Sequence, residues 1–167
     1  MDAEAKKIAL RMIPYGIYVL TAEDGNGNTA AATVNWVTQT SFDPPLIVVG
    51  VKTDSGAYNI LKTAGNFALN MLGKGQQGAA FTFFKPARRE GNTLSGEPIR
   101  KGSTGAPILE NATACVECRV EEIVERGDHH IVIGEVVEAK VAKAPDGRAD
   151  DASLHMRDLG ENVFYGG

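Results

Sequence analysis

Ala114-Cys115-Val116-Glu117-Cys118-Arg119-Val120-Glu121-Glu122-Ile123-Val124 is followed by the turn Arg126-Gly127-Asp128 and then by His129 to Val141. Ala114, Val116, Cys118 and Val120 alternate with Cys115, Glu117, Arg119 and Glu121. A period of two puts successive side chains on opposite faces, which is the signature of a strand with one face on a core. The apolar phase then slips to Ile123, which predicts a bulge near Glu121-Glu122. Ile131 to Val141 reads as a long second strand with apolar residues on both faces at its start. The turn between the two makes them a hairpin, so the sheet they begin is antiparallel.

The same grammar runs upstream. Ile17 to Ala22 is a strand, and Glu23 to Asn28 (EDGNGN) is a hairpin turn. Thr29 to Ser41 reads as one continuous strand rich in small and hydroxyl residues, broken by Asp43-Pro44-Pro45. Leu46 to Val51 is a buried strand by its β-branched content, and Asn66 to Leu72 is another. Helices are fewer. Ala5, Ile8, Ala9 and Met12 recur at helical spacing, and Pro14 and Gly16 stop that run. Asp54 to Thr63 is a helix with Asp54 or Ser55 as its cap and Gly65 past its end, and Gln76 to Phe84 is a short one. Pro86 to Pro107 reads as a long polar loop, Ala144 to Asp151 as an exposed loop, and Ala152 to Gly160 as helical. Strands joined by hairpins with a few short helices predict a mainly β fold, an antiparallel barrel and not a parallel α/β sheet. With no internal repeat and no composition break, residues 1–167 read as one domain.

Composition excludes some function classes. The net charge is -4 with no basic stripe, so nucleic acid is not an expected partner. The longest apolar run is Leu46 to Val51, far short of the roughly 20 residues of a membrane span. The first residues, MDAEAKKIALRM, lack the apolar stretch of a signal peptide, so a cytoplasmic location is expected. Two cysteines make no disulfide framework.

Several motifs invite chemistry. Gly73-Lys74-Gly75-Gln76-Gln77-Gly78 matches the dinucleotide fingerprint, but no run of βαβ units surrounds it, and a plain helix entry explains it as well. Cys115 and Cys118 match C-x-x-C, yet on a strand they point apart and no second pair completes a metal site. No metal is therefore expected. His129 and His130 also face opposite ways, and no nucleophile elbow is present. The stretch Ala30 to Ser41 stands out: small residues let a flat ligand lie on the backbone, hydroxyls and amides offer donors to its rim, and Trp36 offers a wall. A threonine-rich stretch is also simply a good strand.

These residues together resemble the flavin reductase-like, FMN-binding split-barrel family. Ala32 to Leu46 (A-T-x-N-W-V-T-Q-x-S-F-D-P-P-L) resembles its first flavin-contacting strand and turn. Val51 to Leu61 resembles the phosphate-side loop and helix, and Gly65 to Leu72 the G-x-F-x-x-N strand. Gly127-Asp128-His129 resembles the G-D-H motif near the nicotinamide site. Asp158-Leu159-Gly160 and Phe164-Tyr165-Gly166-Gly167 resemble the ending of one, flavoredoxin-like, branch. The resemblance covers nearly the whole chain.

It implies a Greek-key split barrel, a homodimer, bound FMN, and reduction of flavin by NADH or NADPH. Carried over residue by residue, Thr33, Asn35, Trp36 and Gln39 line the ring and ribityl chain, Lys52 and Ser55 meet the phosphate, and Val34 and Tyr58 are further cofactor-binding candidates. His129 contacts the nicotinamide dinucleotide. Many members carry serine where this chain has Asn35, and some where it has Ala57, so Lys52 and Ser55 are the nearest phosphate candidates. Trp36 and the Phe164-Tyr165 tail are expected to supply apolar surface for the dimer. Reduced FMN would pass electrons to an oxygenase or another acceptor. The alternative is an FMN-binding electron carrier that does not oxidise NAD(P)H directly.

Overall fold

A computed structural model describes residues 1–167. In chain order its elements are α1 (Ala3–Arg11), β1 (Tyr18–Glu23), β2 (Thr29–Val34), β3 (Val37–Phe42), β4 (Pro45–Lys52), α2 (Gly56–Ala64), β5 (Asn66–Met71) and α3 (Gln77–Thr82). Then come β6 (Arg89–Glu90), β7 (Thr93–Leu94), β8 (Glu97–Lys101), β9 (Pro107–Leu109), β10 (Ala114–Val124), β11 (His129–Val141) and α4 (Ala149–Ala152), with a 3-10 turn at Met156–Leu159. No helix is long and apolar enough to cross a membrane.

Seven strands form one antiparallel sheet in the order β2-β1-β5-β10-β11-β4-β3. It curls around a single cluster that includes Leu20, Val49, Val51, Phe67, Leu69, Cys118 and Val132. Helix α2 lays Ala57, Tyr58 and Leu61 into the same cluster. Ser55 caps α2 by accepting from the Tyr58 N–H, and Gly65 ends it in the left-handed conformation that glycine adopts without penalty. The result is a split β-barrel, with β2 and β3 as its unpaired edges.

That topology corrects the reading of Thr29 to Ser41 as one strand. β2 pairs with β1 and β3 pairs with β4, so the chain crosses the open seam at Asn35-Trp36. β-Propensity is high on both sides of the crossing, and the sequence carries no glycine or proline to mark it.

The hairpin of β10 and β11 forms as its alternation predicts. Register shifts fall between Val120 and Glu122, as expected, and also between Glu117 and Cys118, where Val137 of the partner strand is skipped. Cys115 packs with Ala68, Ala106 and Ile108 while Cys118 lies in the barrel core, so the two thiols do point apart.

Pro86 to Pro107 is not a loop: β6, β7, β8 and β9 make a small second sheet. Its reason lies elsewhere in the chain. The outward-facing Ile17, Val19 and Leu72 need cover, and Phe83, Leu94, Ile99, Leu109, Leu154 and Leu159 supply it in a second core. Buried Asn70 bridges the layers, donating to Val19 O (2.9 Å) and accepting from the Leu109 N–H (2.9 Å). The C-terminal helix is also displaced from its expected place. Ala149–Ala152 is helical, Ser153 and His155 instead bridge to Gly73 and Gly16, and only Met156–Leu159 turns again.

Candidate functional site at the barrel seam

Two clefts flank the end of β4. The first, of ≈ 480 Å³, has Ala30, Ala31 and Ala32 of β2 on one wall and Lys52, Ser55 and Gly56 on another, with Phe83 to Ala87 closing it. The second, of ≈ 810 Å³, is walled by Trp36, Thr38, Gly50 and the Arg126 to His129 turn, with Ile13 to Tyr15 opposite. Lys52 pairs with His129 in the β4–β11 register, so one strand end separates the clefts. Thr53 fixes the junction, its N–H and hydroxyl both donating to Asp128 O (3.0 and 3.2 Å).

The structure brings some of the expected residues together and uses others for the fold. Lys52 and Ser55 share the first cleft; Trp36 and His129 share the second. Asn35 is buried, and its amide donates to Tyr165 O (3.0 Å). The Thr33 hydroxyl donates to Ala80 O (2.6 Å), tying β2 to α3. Val34 and Tyr58 belong to the barrel core and line neither cleft. The Tyr58 hydroxyl meets His130 Nδ1 at 2.6 Å, which confirms that His130 and His129 face opposite ways. Gln39 lies exposed on the edge strand, donating to Ser41 O at 3.0 Å.

Ser55 Oγ is fully engaged, donating to Lys52 O (2.7 Å) while accepting from Tyr58 N–H (3.1 Å). As a cap it leaves the first N–H groups of α2, at Gly56 and Ala57, without intrahelical acceptors. Lys52 Nζ rests 3.1 Å from Asp54 Oδ2, and this pairing holds its ammonium above the usual lysine range. Lys85, directly after the Phe83-Phe84 pair, adds a second cation to the first cleft. It was not among the expected residues, although a cation after an aromatic pair was a visible cue.

In the second cleft, His129 packs against Trp36 with ring centroids 4.5 Å apart and the planes tilted by 57°. Its Nδ1 lies 2.9 Å from Asp128 Oδ1 and its Nε2 2.7 Å from the Tyr165 hydroxyl. The hydrogen bond to His129 holds the Asp128 carboxyl below its ordinary range, and burial pushes the Tyr165 phenol up. Tyr165 also packs on Trp36 at 5.5 Å. Tyr165 thus rests on Trp36 of its own chain while Phe164 and Tyr165 stay exposed on their other side. The indole Nε1 of Trp36 is buried with no hydrogen-bond partner.

Chemically, the first cleft presents a side-chain-poor strand, two ammonium groups and a helix N-terminus, which suits an anion joined to a flat body. The second presents an aromatic wall and an imidazole oriented by a carboxylate.

Flavin reductase of Pseudomonas putida is 31% identical over 141 residues, covering 84% of this chain and 81% of that protein. The NADH:riboflavin 5'-phosphate oxidoreductase of Streptomyces pristinaespiralis is 30% identical over 142 residues, covering 82% and 78%. The solved flavin reductase component of a bacterial two-component tryptophan halogenase superimposes with a TM-score of 0.76 at 26% identity, covering 99% of this chain and 98% of its own. Some relatives are longer. The chain spans 42% of a Rhizobium meliloti (strain 1021) protein named "Probable flavin reductase", at 35% identity over 81% of this chain. It spans 25% of "Diflavin flavoprotein A 1" of Synechocystis. The flavin reductase like domain matches residues 10–158, and the chain belongs to that family.

Proposed function

We propose that this protein is a flavin reductase that binds FMN at the barrel seam and moves a hydride to it from NADH or NADPH. The observation that carries the reading is the pairing of the two clefts across one strand end: an anion-holding cleft at Lys52, and an aromatic, imidazole-bearing cleft at Trp36 and His129. The names of the relatives point the same way.

The residues present fit a flavin mononucleotide. Ala30, Ala31 and Ala32 keep the first cleft clear for a chain and phosphate, and Lys52, Lys85 and the start of α2 supply positive charge. Trp36 offers a stacking wall, and its unpaired indole N–H offers a donor that no protein group takes up. Bound flavin supplies the two-electron acceptor chemistry, so the protein needs to position and exclude water more than to provide an acid or base. His129 sets the polar rim of the second cleft, and Asp128 orients the imidazole.

A phosphate contact assisted by charge is worth about 1.5–3 kcal/mol, so FMN is expected to bind at least about tenfold more tightly than riboflavin. Titration of flavin fluorescence checks this, and equal affinities would remove the phosphate role from Lys52 and Lys85.

The acceptor is proposed to be an oxygenase, since relatives carry names such as styrene monooxygenase flavin reductase. The carrier reading draws on the relatives named diflavin flavoproteins, in which this chain matches only a module. Anaerobic addition of NADH to the FMN-loaded protein separates the two: bleaching of the flavin absorbance supports the reductase, and an unchanged spectrum supports the carrier.

We also infer a homodimer. Ile131, Val137 and Val141 of β11 and Phe42 at the tip of β3 are apolar and solvent-exposed, and such a surface on a sheet with open edges calls for cover. Sedimentation equilibrium at micromolar concentration is expected to give twice the 17.7 kDa chain mass; a monomer would overturn it.

A further inference from the structure

We propose that the tail segment Phe164–Gly166 is a displaceable strap, with Tyr165 holding the place of a planar ring ligand against Trp36 and His129. The inference rests on the flavin-site reading for the identity of that ligand, though not for the existence of the strap.

Tyr165 meets the site as a ligand would. Its ring lies 5.5 Å from that of Trp36, its hydroxyl sits 2.7 Å from His129 Nε2, and its carbonyl accepts from the Asn35 amide at 3.0 Å. Three residues that the family resemblance places at the ligand, Trp36, Asn35 and His129, are therefore engaged by the chain's own tail. The tail is lightly held. Phe164 to Gly167 make no backbone–backbone hydrogen bonds, and the remaining ties are Arg11, over the Phe164 ring at 4.3 Å and donating to Gly166 O at 3.3 Å. Segments with so few backbone ties open at low cost. The strap is also an incomplete partner, because the buried Trp36 Nε1 beneath it finds no acceptor. A heteroaromatic ring with an acceptor on its rim satisfies that N–H as well as Asn35 and His129, so it wins the place from Tyr165.

Occupancy by the strap lowers apparent affinity by the fraction of molecules that are open. Trp36 is the only tryptophan in the chain, so its fluorescence reports this site alone. Two variants loosen the strap by different routes. Tyr165→Ala removes the ring. Gly166→Ala keeps it but puts a side chain at a φ of 132°, which L residues avoid.

In both folded variants, checked by circular dichroism, acrylamide quenching of Trp36 is expected to rise without any ligand. The apparent Kd is expected to fall about three- to tenfold for FMN alone or for NADH alone, and the ligand whose Kd falls is the one whose ring the strap displaces. If Tyr165 instead helps to bind the ring, Tyr165→Ala weakens binding and Gly166→Ala fails to tighten it, which overturns the proposal. Unchanged quenching in both variants overturns it too. If no form binds either ligand, the flavin reading fails, while raised quenching still upholds the strap.

Discussion

Replacing His129 with alanine is expected to lower kcat/KM for the nicotinamide dinucleotide about 5- to 150-fold, the loss of one contact worth roughly 1–3 kcal/mol. The imidazole is held from three sides: the tilted Trp36 ring against it, Asp128 at Nδ1 and Tyr165 at Nε2. Once Tyr165 withdraws, Nε2 faces the cleft and is free to bond the carboxamide or a phosphate of the dinucleotide. No proton transfer by His129 is required for hydride transfer, so the effect falls on binding and alignment. FMN affinity is not expected to drop, since the variant also releases a tie of the strap. Asp128 has its folded pKa depressed, so its support of His129 is present above the ordinary carboxylate range and is lost as pH falls through the lowered value. Steady-state kinetics with NADH and with NADPH test the prediction. Unchanged kcat/KM for both would remove His129 from the substrate site and favour the carrier reading. His130→Ala serves as the contrast: it loses the 2.6 Å contact to Tyr58 at the barrel end, and its cost is expected in stability and not in turnover.

Glu117→Ala is expected to destabilise the fold by about 2–3 kcal/mol and lower Tm by about 4–12 °C. Glu117 has no exposed surface. Its carboxylate accepts from the N–H groups of Ser103 (3.0 Å) and Thr104 (2.7 Å) and from the Thr104 hydroxyl (2.8 Å). It therefore staples the β8–β9 turn of the small sheet onto β10 of the barrel. The fit is close: a Cβ at Gly102 would lie 2.5 Å from a Glu117 oxygen. Burial alone raises the pKa of this carboxyl, but the donors from Thr104 and Ser103 outweigh it and the net shift is downward. A depressed folded pKa means that the stabilisation is present above the unfolded value of roughly 4.3 and is lost as pH falls through the folded one. Thermal melts of the wild type and of Glu117→Gln are therefore expected to converge in acid. A neutral-pH Tm unmoved by Glu117→Ala would show that the staple carries no stability.

Glu117 also shows where sequence reading stops. Its alternation with Val116 and Cys118 correctly marks β10 as a strand with one face on a core, but the pattern names no cover for the face that carries Glu117 and Cys115. Both are buried, because the segment after Ala87 folds over that face. That segment carries no periodicity of its own: β6 and β7 are two residues each, and they form because the outer faces of β1, β5 and β10 need cover. No local pattern encodes a demand made by strands far away in the chain. The same holds at Asn35-Trp36, where uniform β-propensity conceals the crossing of the seam.

Local chemistry was sufficient wherever the physics is local. The period-two hairpin with its slip to Ile123, a cap at Asp54 or Ser55, the stop at Gly65 and the Asp43-Pro44-Pro45 break are all written in neighbouring residues, and the structure keeps each, choosing Ser55 for the cap. Of the candidate site, Trp36 was legible in the residues as an aromatic wall, whereas Lys52 and His129 came forward only through the family resemblance. Tertiary structure alone decided how that content is shared out. It gave the Thr33 hydroxyl to α3, sent Val34 and Tyr58 into the core, added Lys85 to the first cleft and laid Tyr165 over Trp36. The physical reason is that a side chain's chemistry is fixed by its covalent structure, whereas its partner is chosen by whichever distant group the packed chain leaves unsatisfied beside it.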